Sequence, residues 1–368
     1  MKQTTIIAGT LGLIVGLVIG IFALSPESGT TVSVDGDTVV SDTQTVEPVR
    51  WKMASSFSGN LVLLGTQGNF VEERVRTLSG GVMELKFFEP GALVPALEIF
   101  DAVSTGSVNA GWTGSGYWAG KVPALQFFTA VPFGPDAGEG LAWMYYGGGL
   151  ELMQEIYARH NIFSQPCSLI SPEGSGWFNK EINSVEDLKG LKMRFFGLGA
   201  KVMEKLGVST QLLAAGDIFP ALELGTIDAT EFSNPAIDLE LGFYQVAKHY
   251  YFPGWHQPMS MIELMINLDD WNSLGDTQKE IINAVCKESL LQSFAYGEAI
   301  QFAALQELQA KGVTVHRWSP EIMEALETAW NEVVEDEASK NDDFSRVWGS
   351  LKEFRRGYKI WGDLGYLD

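Results

Sequence analysis

The sequence predicts an α/β fold, with helices laid on the faces of a parallel sheet. Two observations carry that prediction. Between residues 49 and 114, short apolar segments alternate with helical ones in the order strand, helix, strand, helix, strand. The same alternation returns between residues 191 and 232. Parallel strands need a crossover between them, and a helix is the usual crossover.

The elements read as follows. In "VRWKMASSF", Val49, Trp51 and Met53 alternate as in a strand, and "SSFSGN" turns the chain. A helix follows over about residues 60 to 78, closed by Ser79, Gly80 and Gly81. "VMELKFFEPG" is a second strand. "VPALEIFDAVSTG" is a helix with Pro95 in its first turn and Gly106 past its end. "SVNAGWTG" is a third strand. Further on, "LKMRFFG" is a strand, "LGAKVMEKLG" a helix, "STQLLA" a strand, "GDIFPALELG" a helix and "TIDATEF" a strand.

The segments "AVSTGSVNAGW" (102–112) and "ALELGTIDATE" (221–231) can be laid on each other, with Ala102/Ala221, Gly106/Gly225 and Ala110/Ala229 in common. Two readings stand. Any helix–glycine–strand junction has this shape, or the chain has two similar lobes. In the second case Trp112 and Glu231 sit at equivalent strand ends facing one crevice, where open α/β sheets bind ligands. The last third is helical. Residues 277–312 keep apolar spacing of three and four for longer than an ordinary helix, which predicts a kink or a helix spanning both lobes.

The chain's 368 residues suggest more than one domain, and 46% hydrophobic with 19% charged residues is a globular composition. A net charge of −21 excludes a nucleic-acid partner, which needs a basic footprint. An anion site in such a chain must rely on a local cation. Cys167 and Cys286 form no CxxC and no metal spacing. Two buried free thiols are expected, with one disulfide as the alternative. Lys2 precedes an uncharged run from Ile6 to Leu24. Residues 1–24 therefore read as a signal peptide or a retained inner-membrane anchor, and polar residues 25–48 as a flexible tether, so that the rest leaves the cytoplasm.

No catalytic motif emerges. The four histidines are scattered, "TGSGY" lacks the first glycine of a nucleophile elbow, and "GLGAKV" lacks the third glycine of a dinucleotide loop. Arg194, inside the apolar strand "LKMRFF", is the strongest candidate for a site. A buried guanidinium needs a partner, either a protein carboxylate or the carboxylate of a ligand, whose two oxygens its planar fork matches. Glu231 in "DATEFSNPAID" can ligate a hard cation or be merely solvated. "YYFPGWHQPMS" reads as a rigid pocket-lining loop offering the amide of Gln257.

Three stretches, "GWFNKEINSVEDLKGLKMRFFGLGAKVMEKLGV", "LELGTIDATEFSNPAIDLELGFYQVAKHYYFPGWHQP" and "AVPFGPDAGEGLAWMYYGGGLELM", resemble the solute-binding receptors of TRAP transporters. The branch they are most similar to binds 2-oxo or 2-hydroxy carboxylates. The resemblance implies a class II-like, two-lobed periplasmic binding protein with hinge strands, a long lobe-spanning helix and a helical C-terminus. It places lobe 1 at 49–170 plus 261–300, lobe 2 at 171–260 plus 301–340, and a C-terminal segment at 341–368. It implies a receptor that delivers a small organic acid to a membrane permease. Arg194 matches the carboxylate clamp. Glu231, the carbonyl of Phe232 and Gln257 match ligands of a sodium or calcium ion that bridges the substrate. Glu173 stands where an amide is usual, adding a charge. Trp112, Tyr117 and Phe57 match pocket positions. A swapped C-terminal helix implies a homodimer, and "EFRRGYKIWGDLGYLD" suits that role. The rival reading is an exported metal-dependent lyase or isomerase acting on an oxo acid.

Overall fold

The computed structural model describes residues 47–366. The expected export segment and most of the tether lie outside them. Eleven strands are seen among the described residues: β1 (Val49–Ser55), β2 (Met83–Phe88), β3 (Ala110–Thr113), β4 (Ile162–Ile170), β5 (Gly176–Phe178), β6 (Lys192–Arg194), β7 (Ser209–Gln211), β8 (Ala229–Thr230), β9 (His249–Phe252), β10 (Ser260–Asn267) and β11 (Thr314–Arg317). They form two sheets, ordered β2-β1-β3-β10-β4 and β11-β9-β5-β8-β6-β7. Helices accompany both, giving a two-lobed α/β architecture.

The strands read from periodicity pair in parallel as expected: β1 with β2 and β3, and β6 with β7 and β8. The sheets as wholes are mixed, which corrects the parallel expectation. Strand β10 runs antiparallel to β3 and β4, and β5 runs antiparallel to β8 and β9. The cause is connectivity. The chain leaves the first sheet after β4, enters the second at β5, and returns from β9 to β10. Direct crossings of this kind insert antiparallel strands, which need no crossover helix.

The repeated junction is real in geometry. Gly106 and Gly225 each stand two residues beyond a helix end, at φ 73° and 68°. Only glycine adopts this left-handed turn without cost. The helix expected from residue 60 begins only at Gly65, as α1 (Gly65–Leu78), because Leu63 turns left-handed at φ 63°. Helix α2 (Ile99–Ser104) joins β2 to β3 in the first junction, and α3 (Ala137–Tyr146) and α4 (Gly149–Ala158) lie between β3 and β4. The second lobe adds α5 (Gly199–Lys205), α6 (Ala215–Glu223) and α7 (Pro235–Leu241), with Asn234 capping α7 ahead of Pro235.

After α8 (Leu268–Ser273), the long helix α9 (Asp276–Ala310) runs unbroken. It touches both lobes. The Ser293 hydroxyl accepts from the N–H of Leu169 on β4 at 2.9 Å, and Gln301 accepts from Ala236 N on α7 at 3.0 Å. The lobe-spanning alternative therefore holds and the kink does not. Helices α10 (Pro320–Lys340) and α11 (Asp342–Gly365) complete the helical C-terminus.

The expectation of free thiols is corrected. Cys167 on β4 and Cys286 on α9 form a disulfide, their Cα atoms 4.2 Å apart. Packing of α9 against β4 brings the two together, something the spacing of 119 residues did not reveal. A disulfide persists in an oxidising compartment, in keeping with export.

One buried acid in the first lobe makes stability depend on pH. Glu263 on β10 accepts hydrogen bonds from the Tyr157 hydroxyl (2.6 Å), Ser164 (2.7 Å) and Trp118 Nε1 (3.4 Å). Burial outweighs these bonds and pushes its carboxyl from 4.5 up to about 7. Between those values the folded state holds a proton that the unfolded state has released. The contribution is therefore fully present below pH 4.5 and lost as pH rises to about 7. Denaturant midpoints of wild type and Glu263→Gln, compared across this range, should show wild type losing ground to the variant with rising pH and a constant difference above it. A difference that does not change with pH would contradict a neutral Glu263.

Candidate ligand and cation site

The strand ladder brings the site together. Strands β6 and β8 run parallel with Arg194 opposite Thr230, so the next residue, Glu231, emerges beside the guanidinium. Both sit at carboxyl ends of strands. Two crossing segments close the other side: 171–175 between β4 and β5, carrying Glu173, and 253–259 between β9 and β10, carrying His256 and Gln257. Glu173 N donates to Gln257 O at 3.3 Å and the Ser175 hydroxyl to Pro253 O at 2.6 Å, joining the crossings to each other. They approach so closely at Gly254 that an added Cβ there would lie 2.2 Å from the Glu173 carbonyl oxygen.

Between the lobes lies a small cavity of about 30 Å³. Its polar wall holds Arg194, Glu173, Gln257, Ser233, Ser260 and Tyr117. The apolar wall includes Phe57, Leu64, Ile170, Phe196, Phe232 and Ile262. The lobes meet over it. Phe196 of the second lobe stands edge-on to Tyr117 of the first at 4.8 Å, and Glu240 on α7 accepts from the N–H of Val62 at 2.9 Å.

Arg194 is 1% exposed. Its Nε donates to Leu213 O at 3.2 Å, and its Nη1 to both the carbonyl of Glu231 (2.9 Å) and Glu231 Oε1 (2.8 Å). The rings of Phe232 and Phe196 flank the guanidinium at 5.2 and 5.8 Å. Of the two partners the sequence left open, the guanidinium thus has a protein carboxylate. The pair is one-sided. Among the described residues, Nη2 makes no hydrogen bond to a protein acceptor.

The oxygen donors repeat that pattern. Glu231 Oε1 also accepts from Phe196 N, while Oε2 has no partner. Glu173 Oε1 accepts from Ser260 at 2.9 Å, while Oε2 has none. Gln257 Nε2 donates to the same Ser260 hydroxyl at 2.6 Å, which orients its Oε1, also without a partner. Buried acceptors of this kind are costly when left unmade. Three of them together suit a hard cation, which takes oxygen ligands. Burial first, then the charge of Glu231, pushes the carboxyl of Glu173 well above its ordinary range.

Of the residues singled out from sequence, Arg194, Glu173, Gln257, Phe232, Tyr117 and Phe57 line the cavity. Trp112 does not. It is fully buried in the first lobe, its indole N–H bonded to Leu64 O at 2.8 Å, so it supports the wall from behind. Glu231 lies outside the immediate lining, yet its ligating atom falls within 4.8 Å of those of Glu173 and His256. His256 was missed, as were Ser233 and Ser260. Both ring nitrogens of His256 lack partners, and Nε2 is 3.5 Å from Glu231 Oε2. A scattered histidine carries no local signal, because its neighbours come from distant segments.

The family model described as bacterial extracellular solute-binding protein, family 7 (DctP), matches residues 58–341. The chain belongs to this family. The receptor is 40% identical over 320 residues to a monocarboxylate 2-oxoacid-binding periplasmic protein of a Nostoc species, covering 87% of each chain. A TRAP transporter solute-binding protein from Bordetella bronchiseptica, solved as a dimer with calcium and picolinate in one site, aligns with TM-score 0.85 and 36% identity, over 87% of this chain and 95% of that one. One from Pseudoalteromonas atlantica with bound sodium and pyruvate aligns with TM-score 0.83 and 33% identity, over 87% and 97%. The family places the receptor outside the cytoplasm. It also sets aside the lyase or isomerase reading, since these relatives are solute receptors rather than enzymes.

Gly254→Ala tests the close approach of the crossings. Overpacking there should cost about 1–3 kcal/mol in denaturant unfolding and should weaken ligand binding, since Glu173 must shift. Unchanged stability would show that the two backbones are not in contact.

Proposed function

We propose that this receptor closes its two lobes on one small 2-oxo or 2-hydroxy monocarboxylate and delivers it to a TRAP membrane permease. The observation that carries the proposal is the unspent Nη2 of Arg194, in a cavity shared with unpartnered buried oxygens. Arg194 is the one basic residue in the wall among the described residues, which suits a single ligand carboxylate. Leu64, Ile170 and Ile262 suit a short apolar remainder.

Glu173, Glu231, Gln257 and the carbonyl of Phe232 would hold the bridging cation. Bound there, it supplies positive charge beside the ligand's oxygens. This local offset matters in a chain of net charge −21. Closure is favoured by ligand because only the closed form sets Arg194 of one lobe against the lining of the other. The N-terminal run fits an export signal, cleaved or retained as an anchor.

A homodimer through the C-terminal helix is part of the proposal. On α11, Ile360, Trp361 and Leu364 are 67%, 59% and 82% exposed along one face. Trp361→Asp should convert the dimer to a monomer in light scattering, and a monomeric wild type would remove the helix from this role.

Calorimetry with pyruvate tests the central reading. Wild type should bind it as a saturable, unmodified ligand. Arg194→Lys should lose roughly 2 kcal/mol or more, because an ammonium cannot reproduce the guanidinium fork. Near-native affinity in that variant would remove the clamp.

A further inference from the structure

We propose that Glu240 is the latch of this receptor: its carboxylate fastens the second lobe to the first over a bound ligand and sets how fast that ligand leaves. The inference rests on the reading of two lobes closing on a small monocarboxylate, and adds to it the residue that holds them shut. One observation sets Glu240 apart. Outside the ligand cavity, and among the described residues, the bond it accepts from Val62 N–H at 2.9 Å is the one hydrogen bond that joins residues 49–170 directly to residues 176–252.

Both ends of the latch are set in advance. Helix α7 starts directly after the loop that carries Glu231, Phe232 and Ser233, and Asn234 caps it by accepting from Ile237 N at 3.3 Å. Ala236 N donates to Gln301 on α9, and Trp177 and Tyr250 hold the buried Asp238. One rigid element thus positions both the site loop and Glu240. On the first lobe, Glu89 accepts from Gly59 N at 2.9 Å, and the buried Leu63 packs at Gly297 of α9, where an added Cβ would lie 3.4 Å from it. Phe57 and Leu64 of the same segment line the cavity. Val62 N–H has no other acceptor among the described residues. A bond between groups already ordered costs little entropy to make.

Glu240 stands in the wall of an open cleft of about 370 Å³ between the lobes, with Ser58, Asn60 and Glu89 on one side and Ala215 and Gly216 on its own. It is exposed, so water competes for its oxygens. A bond of this kind is strong enough to slow opening and too weak to forbid it. That suits a receptor that must let its ligand go. Since the bond exists only while the lobes are together, its loss belongs in the release rate and not in the capture rate.

The test loads the exported protein with radiolabelled pyruvate, calcium and sodium both present, and chases it with unlabelled pyruvate. Glu240→Ala should release the label about fivefold or more faster than wild type, with a capture rate within about twofold. Glu240→Gln keeps an acceptor oxygen and should fall between the two. Hydrogen exchange gives a local readout: saturating pyruvate should protect the Val62 amide in wild type and leave it unprotected in Glu240→Ala. Release from the alanine variant at the wild-type rate overturns the latch, as does slower capture with unchanged release. A Val62 amide left unprotected in pyruvate-loaded wild type overturns it too, whether or not the variants fold. Wild type that takes up no pyruvate overturns the receptor reading itself, and this inference with it.

Discussion

The half-used ion pair between Arg194 and Glu231 is the interaction on which the rest of the site depends. A fully forked pair would satisfy both groups and leave nothing for a guest. Here one nitrogen of the fork holds one oxygen at 2.8 Å, and Phe196 N shares that oxygen. The other nitrogen and the other oxygen stay unspent. Burying charges in this state is expensive. The proposed ligand and ion would offset that cost.

The fold is arranged around keeping that state dry and rigid. Two crossing segments run back to back between the lobes, so that Glu173 and Gln257 are set by the same backbone that joins the two sheets. The Ser260 hydroxyl ties the two side chains together. Behind the loop that follows β8, Asp238 accepts from Trp177 Nε1 at 2.8 Å, the Tyr250 hydroxyl at 2.9 Å and Ser233 N at 3.1 Å. Burial pushes its carboxyl up to about 7, so this support is itself a polar group held in a dry place. Helix α9 and its disulfide to β4 hold the first lobe's side of the frame.

Much of this was legible in the sequence, and what was not has a physical reason. Periodicity and turn glycines gave away the strands of the two alternating runs, β1 to β3 and β6 to β8, and the helices between them, because an apolar face repeats every two residues or every three to four. The junction glycines could be aligned because a left-handed turn selects glycine. Strands β4 and β10 went unread although they are long, because burial on both faces removes the alternation, and the three residues of β5 leave no periodic trace. The antiparallel pairings depend on which sheet the chain re-enters, which local pattern does not encode. Arg194 stood out as a charge within an apolar strand. Its pairing with Glu231 did not, since that follows from the register of β6 on β8. The disulfide and His256 were hidden for the same reason, and Trp112 was misread because an aromatic at a strand end faces either pocket or core.

The most direct measurement is a crystal structure of the exported protein grown with pyruvate and calcium. The expected density shows the ligand carboxylate on Arg194 Nη2 and an ion in contact with Glu173 Oε2, Glu231 Oε2 and Gln257 Oε1. A cavity holding only water, with those oxygens turned onto the protein's own donors, would contradict the idea that they were left free for a guest.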